Sequence, residues 1–114
     1  MPLRRHTLAQ NKVESYIGFC KRARKIVLGS SAIGTLKGGV YLLLLDKCAA
    51  KNSLRYALKY KRKFNCPLLV CGDNFEELVG KENCRLAAIQ DENLAKAILN
   101  SGEPGYELYT EGGE

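Results

Sequence analysis

Apolar residues along the chain change their spacing in a way that separates helices from strands. Thr7 and Gln10 have the spacing of a capping box, and Ala9, Val13, Tyr16, Ile17 and Cys20 recur behind them at helical intervals, predicting a first helix. It closes in Lys21-Arg22-Ala23-Arg24-Lys25, cations that oppose the negative end of the helix dipole. The short run Ile26-Val27-Leu28 predicts an edge strand. Gly29-Ser30-Ser31 joins a flexible glycine to two hydroxyl caps and predicts the start of a short second helix that Gly38-Gly39 ends. Val40 to Leu45 shows no polar alternation, as expected of a central strand covered on both faces.

A third helix is predicted over about Lys51 to Phe64, with Leu54, Ala57, Leu58 and Phe64 on one side. Lys51, Arg55, Lys59 and Arg62 share a sector of roughly 80° on another side, a continuous basic stripe without acidic i,i+4 partners. Tyr56 and Tyr60 read as packing residues. Pro67 to Cys71 predicts a further buried strand, Asp73 and Glu76 a capped short helix ended by Gly80, and Arg85 to Ile89 another strand. Asp91 caps a last helix with Leu94, Ala95, Ile98 and Leu99 inward, ended by Ser101-Gly102. Alternating helices and doubly covered strands predict one α/β domain over residues 1–102, a three-layer α/β/α sandwich. Residues 103–114 hold three glycines and four acids with little to bury, which predicts a disordered acidic tail.

At 114 residues and 46% hydrophobic, the chain can bury roughly two-thirds of its unfolded surface, so no disulfide is required. Its longest apolar run is far shorter than the ~18 residues of a membrane span. Met1 to His6 leads into a polar stretch rather than a secretory signal, so the cytoplasm is the expected location. The five cysteines include no C-x-x-C pair and have one histidine, His6, to join them, which argues against zinc and for thiols as core filler.

Charge changes the picture more than composition does. The net charge is +6, but residues 1–63 carry 15 basic against two acidic residues, a net +13, and the remainder carries three against ten, a net −7. Segregation of this kind predicts one positive face and a polyanionic partner, with nucleic acid the leading candidate. Catalytic signatures are missing: there is no G-x-S-x-G, no H-E-x-x-H and no P-loop, so no catalytic residue, cofactor or metal ligand is assigned. Cys20 lies beside Lys21 and Arg22, but its helical phase points inward. The Gly29-Ser30-Ser31 turn could offer backbone amides to a phosphate, and Lys21, Arg22, Arg24 and Lys25 precede it closely enough to flank it. With no aromatic platform evident, the expected ligand is structured RNA rather than splayed single strands.

The order Tyr16-Ile17-Gly18-Phe19-Cys20-Lys21-Arg22-Ala23-Arg24-Lys25, Leu28-Gly29-Ser30-Ser31 and Leu36-Lys37-Gly38-Gly39 resembles the kink-turn RNA-binding family of the large-subunit ribosomal proteins seven-Ae and thirty-e. The likeness is closest to small stand-alone bacterial members. It continues through Asn65 to Val70, Glu77 to Asn83 and Leu94 to Leu99, covering about residues 8–100. The resemblance implies an α/β/α sandwich with a mixed four-stranded sheet and non-catalytic binding of kink-turn RNA. It places RNA contacts on Gly29, Ser30 and Ser31 and on a second loop at about Gly80 to Asn83; Arg24 stands where close relatives usually have a small residue and could add a phosphate contact. The family's strong binders carry Asn-Glu and, three residues after the Glu, Lys; this chain carries Ser30, Ser31 and Gly34 there, which implies weaker or altered specificity.

The expected function is therefore binding of structured, kink-turn-like RNA, ribosomal RNA foremost, by a translation-associated monomer that touches no membrane, using Lys21, Arg22, Arg24, Lys25, Gly29, Ser30, Ser31, Lys37, Lys51, Arg55, Lys59, Gly80, Lys81 and Asn83. The alternative is a protein-interaction scaffold of the same fold that has lost kink-turn recognition. A third reading, an enzyme holding a phosphorylated metabolite at the helix start, lacks an acid, base or nucleophile.

Overall fold

The computed structural model describes residues 12–72 and 74–110. In chain order the elements are α1 (Lys12–Arg22), β1 (Ile26–Leu28), α2 (Ser30–Gly34), β2 (Leu42–Asp46), α3 (Lys51–Phe64), β3 (Leu68–Cys71), α4 (Phe75–Val79), β4 (Leu86–Ile89), α5 (Glu92–Leu99) and β5 (Tyr106–Leu108). The Thr7/Gln10 capping box, His6 and Asp73 lie outside the described residues.

One mixed sheet of order β1-β4-β2-β3-β5 forms the middle layer. β2 and β3 run parallel, joined by the α3 crossover, while β4 runs antiparallel to both β1 and β2. The sandwich expected from the alternation is present, but the sheet has five strands, not four. The fifth comes from the segment read as a disordered tail: Tyr106–Leu108 pairs antiparallel with β3, with Leu69 opposite Leu108 and Cys71 opposite Tyr106. Composition misled there because a short edge strand needs backbone pairing more than apolar side chains. Gly72 lets the backbone before β5 approach the end of β3 closely. Its amide donates to Gly105 O at 2.7 Å, and a Cβ at Gly72 would lie 2.9 Å from that same oxygen.

Strand pleating divides the core in two. Val13, Ile17 and Cys20 of α1, Phe75 and Leu78 of α4, and Ala95 and Ile98 of α5 pack with Leu42, Leu44, Ala87 and Ile89 on one side. On the other, Ile33 of α2 and Ala57 and Tyr60 of α3 pack with Leu43, Leu45, Leu86 and Ala88. Each β2 leucine therefore has a helix above it whichever way it points, which is why the run shows no polar alternation. Four cysteines are buried in these layers as expected, whereas Cys48 is exposed in the turn after β2. No helix among the described residues is long and apolar enough to cross a membrane.

Candidate nucleic-acid interface

The C-terminal ends of β1, β2 and β3 lie at one end of the sheet, because β1, β2 and β3 all run the same way. The starts of α2, α3 and α4 and the loop from α4 into β4 gather at that end. Gly29 is the N-cap of α2 with φ 92°, a left-handed backbone that favours glycine, and its amide donates to Leu86 O at 2.9 Å. This corrects the sequence reading: neither serine is the cap, no side chain caps α2, and the helix ends at Gly34 rather than at Gly38-Gly39. Ser30 and Ser31 are the first helical residues, so their amides have no acceptor within the helix.

The loop facing them is held by an ionic chain. Arg85 Nη1 lies 3.2 Å from Asp46 Oδ2 and 2.9 Å from Glu76 Oε2, and that same Glu76 oxygen accepts the Asn83 amide at 3.0 Å. Asp46 is 7% exposed, and its other oxygen accepts the Cys48 amide at 3.0 Å. A carboxylate this buried requires such partners. Gly80, at φ 80°, caps α4 by donating to Glu76 O, and Asn83 also takes a left-handed conformation. Glu76 thus anchors the 80–85 loop, a role distinct from the helix-start cap the sequence predicted.

Between α2 and this loop lies a recess of about 370 Å³. Gly29, Ser30 and Ser31 line one wall, Lys81, Asn83 and Arg85 the other, and Ser53 of α3 closes it. Three serines, Lys81 and the carboxylate-bound Arg85 are among the lining residues, and no carboxylate lines it. The two loops named from the sequence, some fifty positions apart, therefore meet. Ser53 and Arg85 also line the recess and were not foreseen. Their place depends on contacts between distant segments, which no local pattern records.

The other expected cations are distributed differently. Lys21 Nζ lies 3.0 Å from where a Gly80 Cβ would stand, so it borders the same loop. Lys21 and Arg22 also line a second, larger groove of about 640 Å³, but there Glu14 and Glu77 share the walls. Arg24 sits in a left-handed turn, and Lys25 O accepts the Gln90 amide at 2.7 Å, at the opposite end of β1 from Gly29. Three strand residues, roughly 10 Å, separate those two cations from the mouth they were expected to flank. Exposed Lys37 follows α2 at its far end. On α3, Ser53 and Tyr60 lie roughly 150° from the middle of the Lys51–Arg55–Lys59 stripe, which is therefore turned outward, away from the recess.

Burial raises the pKa of the buried thiols. Burial, reinforced by Asp91, pushes Cys20 up to about 11, and burial, reinforced by Asp46, pushes Cys71 up to about 12. Cys84, which borders the recess, is likewise raised by burial. Among the described residues no three His, Cys, Asp or Glu side chains are grouped to hold a metal ion.

The fold and site define a small α/β/α sandwich with an acid-free polar recess where two loops converge. No protein-family model and no curated protein matches the chain. Solved structures do match. One, titled a protein with unknown function from Bacillus halodurans, aligns over 79% of this chain and 95% of its own with a TM-score of 0.65 and 20% sequence identity. At that identity the likeness concerns the fold alone.

Proposed function

We propose that the chain is a non-catalytic binder of structured, kink-turn-like RNA, with ribosomal RNA in the cytoplasm as the ligand the family resemblance points to. One observation carries this reading. The Gly29-Ser30-Ser31 mouth and the Lys81–Asn83 loop line one recess with two cations, three hydroxyls and no acid. Hydroxyls and amides accept or donate at base edges and donate to phosphates, and Lys81 supplies the charge that phosphate requires, Arg85 being held by Asp46 and Glu76. Lys21 extends the positive rim, while the outward α3 stripe serves as a general electrostatic field rather than as part of the mouth.

Titration of the full chain with a kink-turn hairpin and with a plain duplex of equal length tests this. With ~4 phosphates neutralised, log K falls against log salt with a slope of about −3 to −4. Lys81→Glu weakens binding more than Arg62→Glu does, and Ser31→Ala changes the ratio between the two RNAs. Salt-independent affinity, or equal effects of the two charge reversals with no change of ratio, would overturn the proposal. A partner that survives nuclease treatment in a pull-down would instead favour a protein-interaction scaffold.

A further inference from the structure

Three large aromatic side chains are substantially exposed: Phe19, Tyr41 and Tyr56. They differ in place. Phe19 lies on α1, across the sheet from α2 and α3, and the Arg22 guanidinium sits 4.8 Å over its ring. Tyr41 donates its amide to Ile89 O, at the end of the sheet remote from the recess. Tyr56 is on α3, three residues after Ser53 and so one helical turn from the recess wall. It is 44% exposed, against the packing role its sequence position predicts.

The mounting of Tyr56 is rigid. Its ring stacks on Tyr60, with centroids 6.0 Å apart and planes at 27°. Tyr60 is in turn 4% exposed and donates its hydroxyl to Ser30 O at 2.8 Å. The inner aromatic is thus bolted to the first residue of the α2 mouth, and the outer one continues that stack into solvent. Lys59 follows Tyr56 by three residues on the same strip of α3 and is exposed, while Lys63, one turn further on, donates to Gly34 O at 3.4 Å and lies 5.1 Å over the Phe64 ring. An exposed aromatic backed by a second ring, with Lys59 on the same side of its helix and a polar recess one turn away, is an arrangement that captures an unpaired base while its phosphate meets the lysine.

We infer that Tyr56 is the stacking platform for an unpaired nucleobase of that RNA. The inference rests on the RNA-binding reading and deepens it by naming the residue that receives the unpaired base. The recess engages the paired stem, and the Tyr60-Tyr56 stack receives the nucleotide that leaves it. Tyr60 is a positioning residue here, since it touches Ser30 and Tyr56 rather than the base.

The test uses the full chain with two hairpins of one stem sequence, one fully paired and one with a three-nucleotide bulge carrying 2-aminopurine. The unaltered protein quenches the 2-aminopurine on binding. Tyr56→Ala, at an exposed helical position that alanine suits, loses the quenching and weakens binding of the bulged hairpin about 5- to 150-fold, the range of base–aromatic stacking. Its affinity for the paired hairpin changes less than about twofold. Tyr56→Phe retains both properties, because the ring and not the hydroxyl is used. If the unaltered chain binds both hairpins with the expected salt dependence but Tyr56→Ala weakens both equally or neither, the platform is refuted and RNA binding stands. If the unaltered chain binds neither hairpin, RNA binding itself fails, and the platform with it.

Discussion

The Tyr60 hydroxyl occupies the space where a Cβ on Gly34 would stand: the two points are 2.7 Å apart, while the ring carbon behind the hydroxyl is 3.6 Å away. Tyr60 cannot yield without giving up its bond to Ser30 O, so residues on α2 and α3 determine each other. The absence of a side chain at Gly34, where the resembled family's strong binders have lysine, has a steric counterpart in this pair.

Tyr60→Phe removes that bond to Ser30 O, which costs about 1 kcal/mol. Gly34→Ala combines a gain in helix propensity of up to about 1 kcal/mol with the displacement of the hydroxyl, and comes out near neutral in the parent. In the Tyr60→Phe background the displacement vanishes and Gly34→Ala becomes stabilising. Urea denaturation of the four proteins reads the coupling, about 1 kcal/mol, and additive effects would show that the contact is not shared.

Arg85 ties Asp46 to Glu76, and Glu76 holds the Asn83 amide. Arg85→Met leaves the buried Asp46 with one partner fewer and costs about 1–3 kcal/mol, toward the lower end because the Arg85 side chain is 40% exposed. The Asn83 amide then exchanges hydrogen faster than amides of β2, since the loop loses its anchor before the sheet does. Unchanged exchange at Asn83 would show that the loop is held by other contacts.

Thiol reactivity separates Cys48 from the rest. At pH 8 a thiol reagent modifies Cys48 rapidly, and the four buried cysteines react only as the chain opens. Their raised values also set an alkaline limit. A thiol at about 12 in the folded chain, against an ordinary 9.0, stabilises the fold fully below pH 9, and that contribution is lost as pH climbs from 9 toward 12. The parent's urea midpoint therefore falls more steeply than that of Cys71→Ala between pH 9 and 11. Parallel curves would remove Cys71 as the cause.

Removing residues 103–114 strips β5 from β3. The lost bonds include Gly72 N to Gly105 O at 2.7 Å and Tyr109 N to Leu68 O at 2.8 Å. At about 0.5–1.5 kcal/mol each, the pairing contributes roughly 2 kcal/mol in all. Thermal unfolding shifts down by about 8–16 °C, and the bared β3 edge promotes association at high concentration. A truncated chain as stable and monomeric as the parent would show that the segment contributes no strand.

Much of this was legible in the residues themselves, wherever a local pattern was enough. The bounds of α3 follow from its 3.6-residue period, Asp91 caps α5 by accepting the Leu94 amide at 2.9 Å, and Gly80 ends α4 in the left-handed conformation its position predicts. The leucine run of β2 announced a strand buried on both faces. Tertiary structure alone decided the rest. β5, set in an acidic and glycine-rich segment, is a strand because β3 offers it an edge, Glu76 serves Arg85 and Asn83 across a loop, and Tyr56 is exposed because Tyr60 fills the place beside α2. Hydrogen-bond periodicity and capping act within a few residues and are written there. Pairing partners and shared walls join segments tens of residues apart, and only the packed chain brings them within reach of each other.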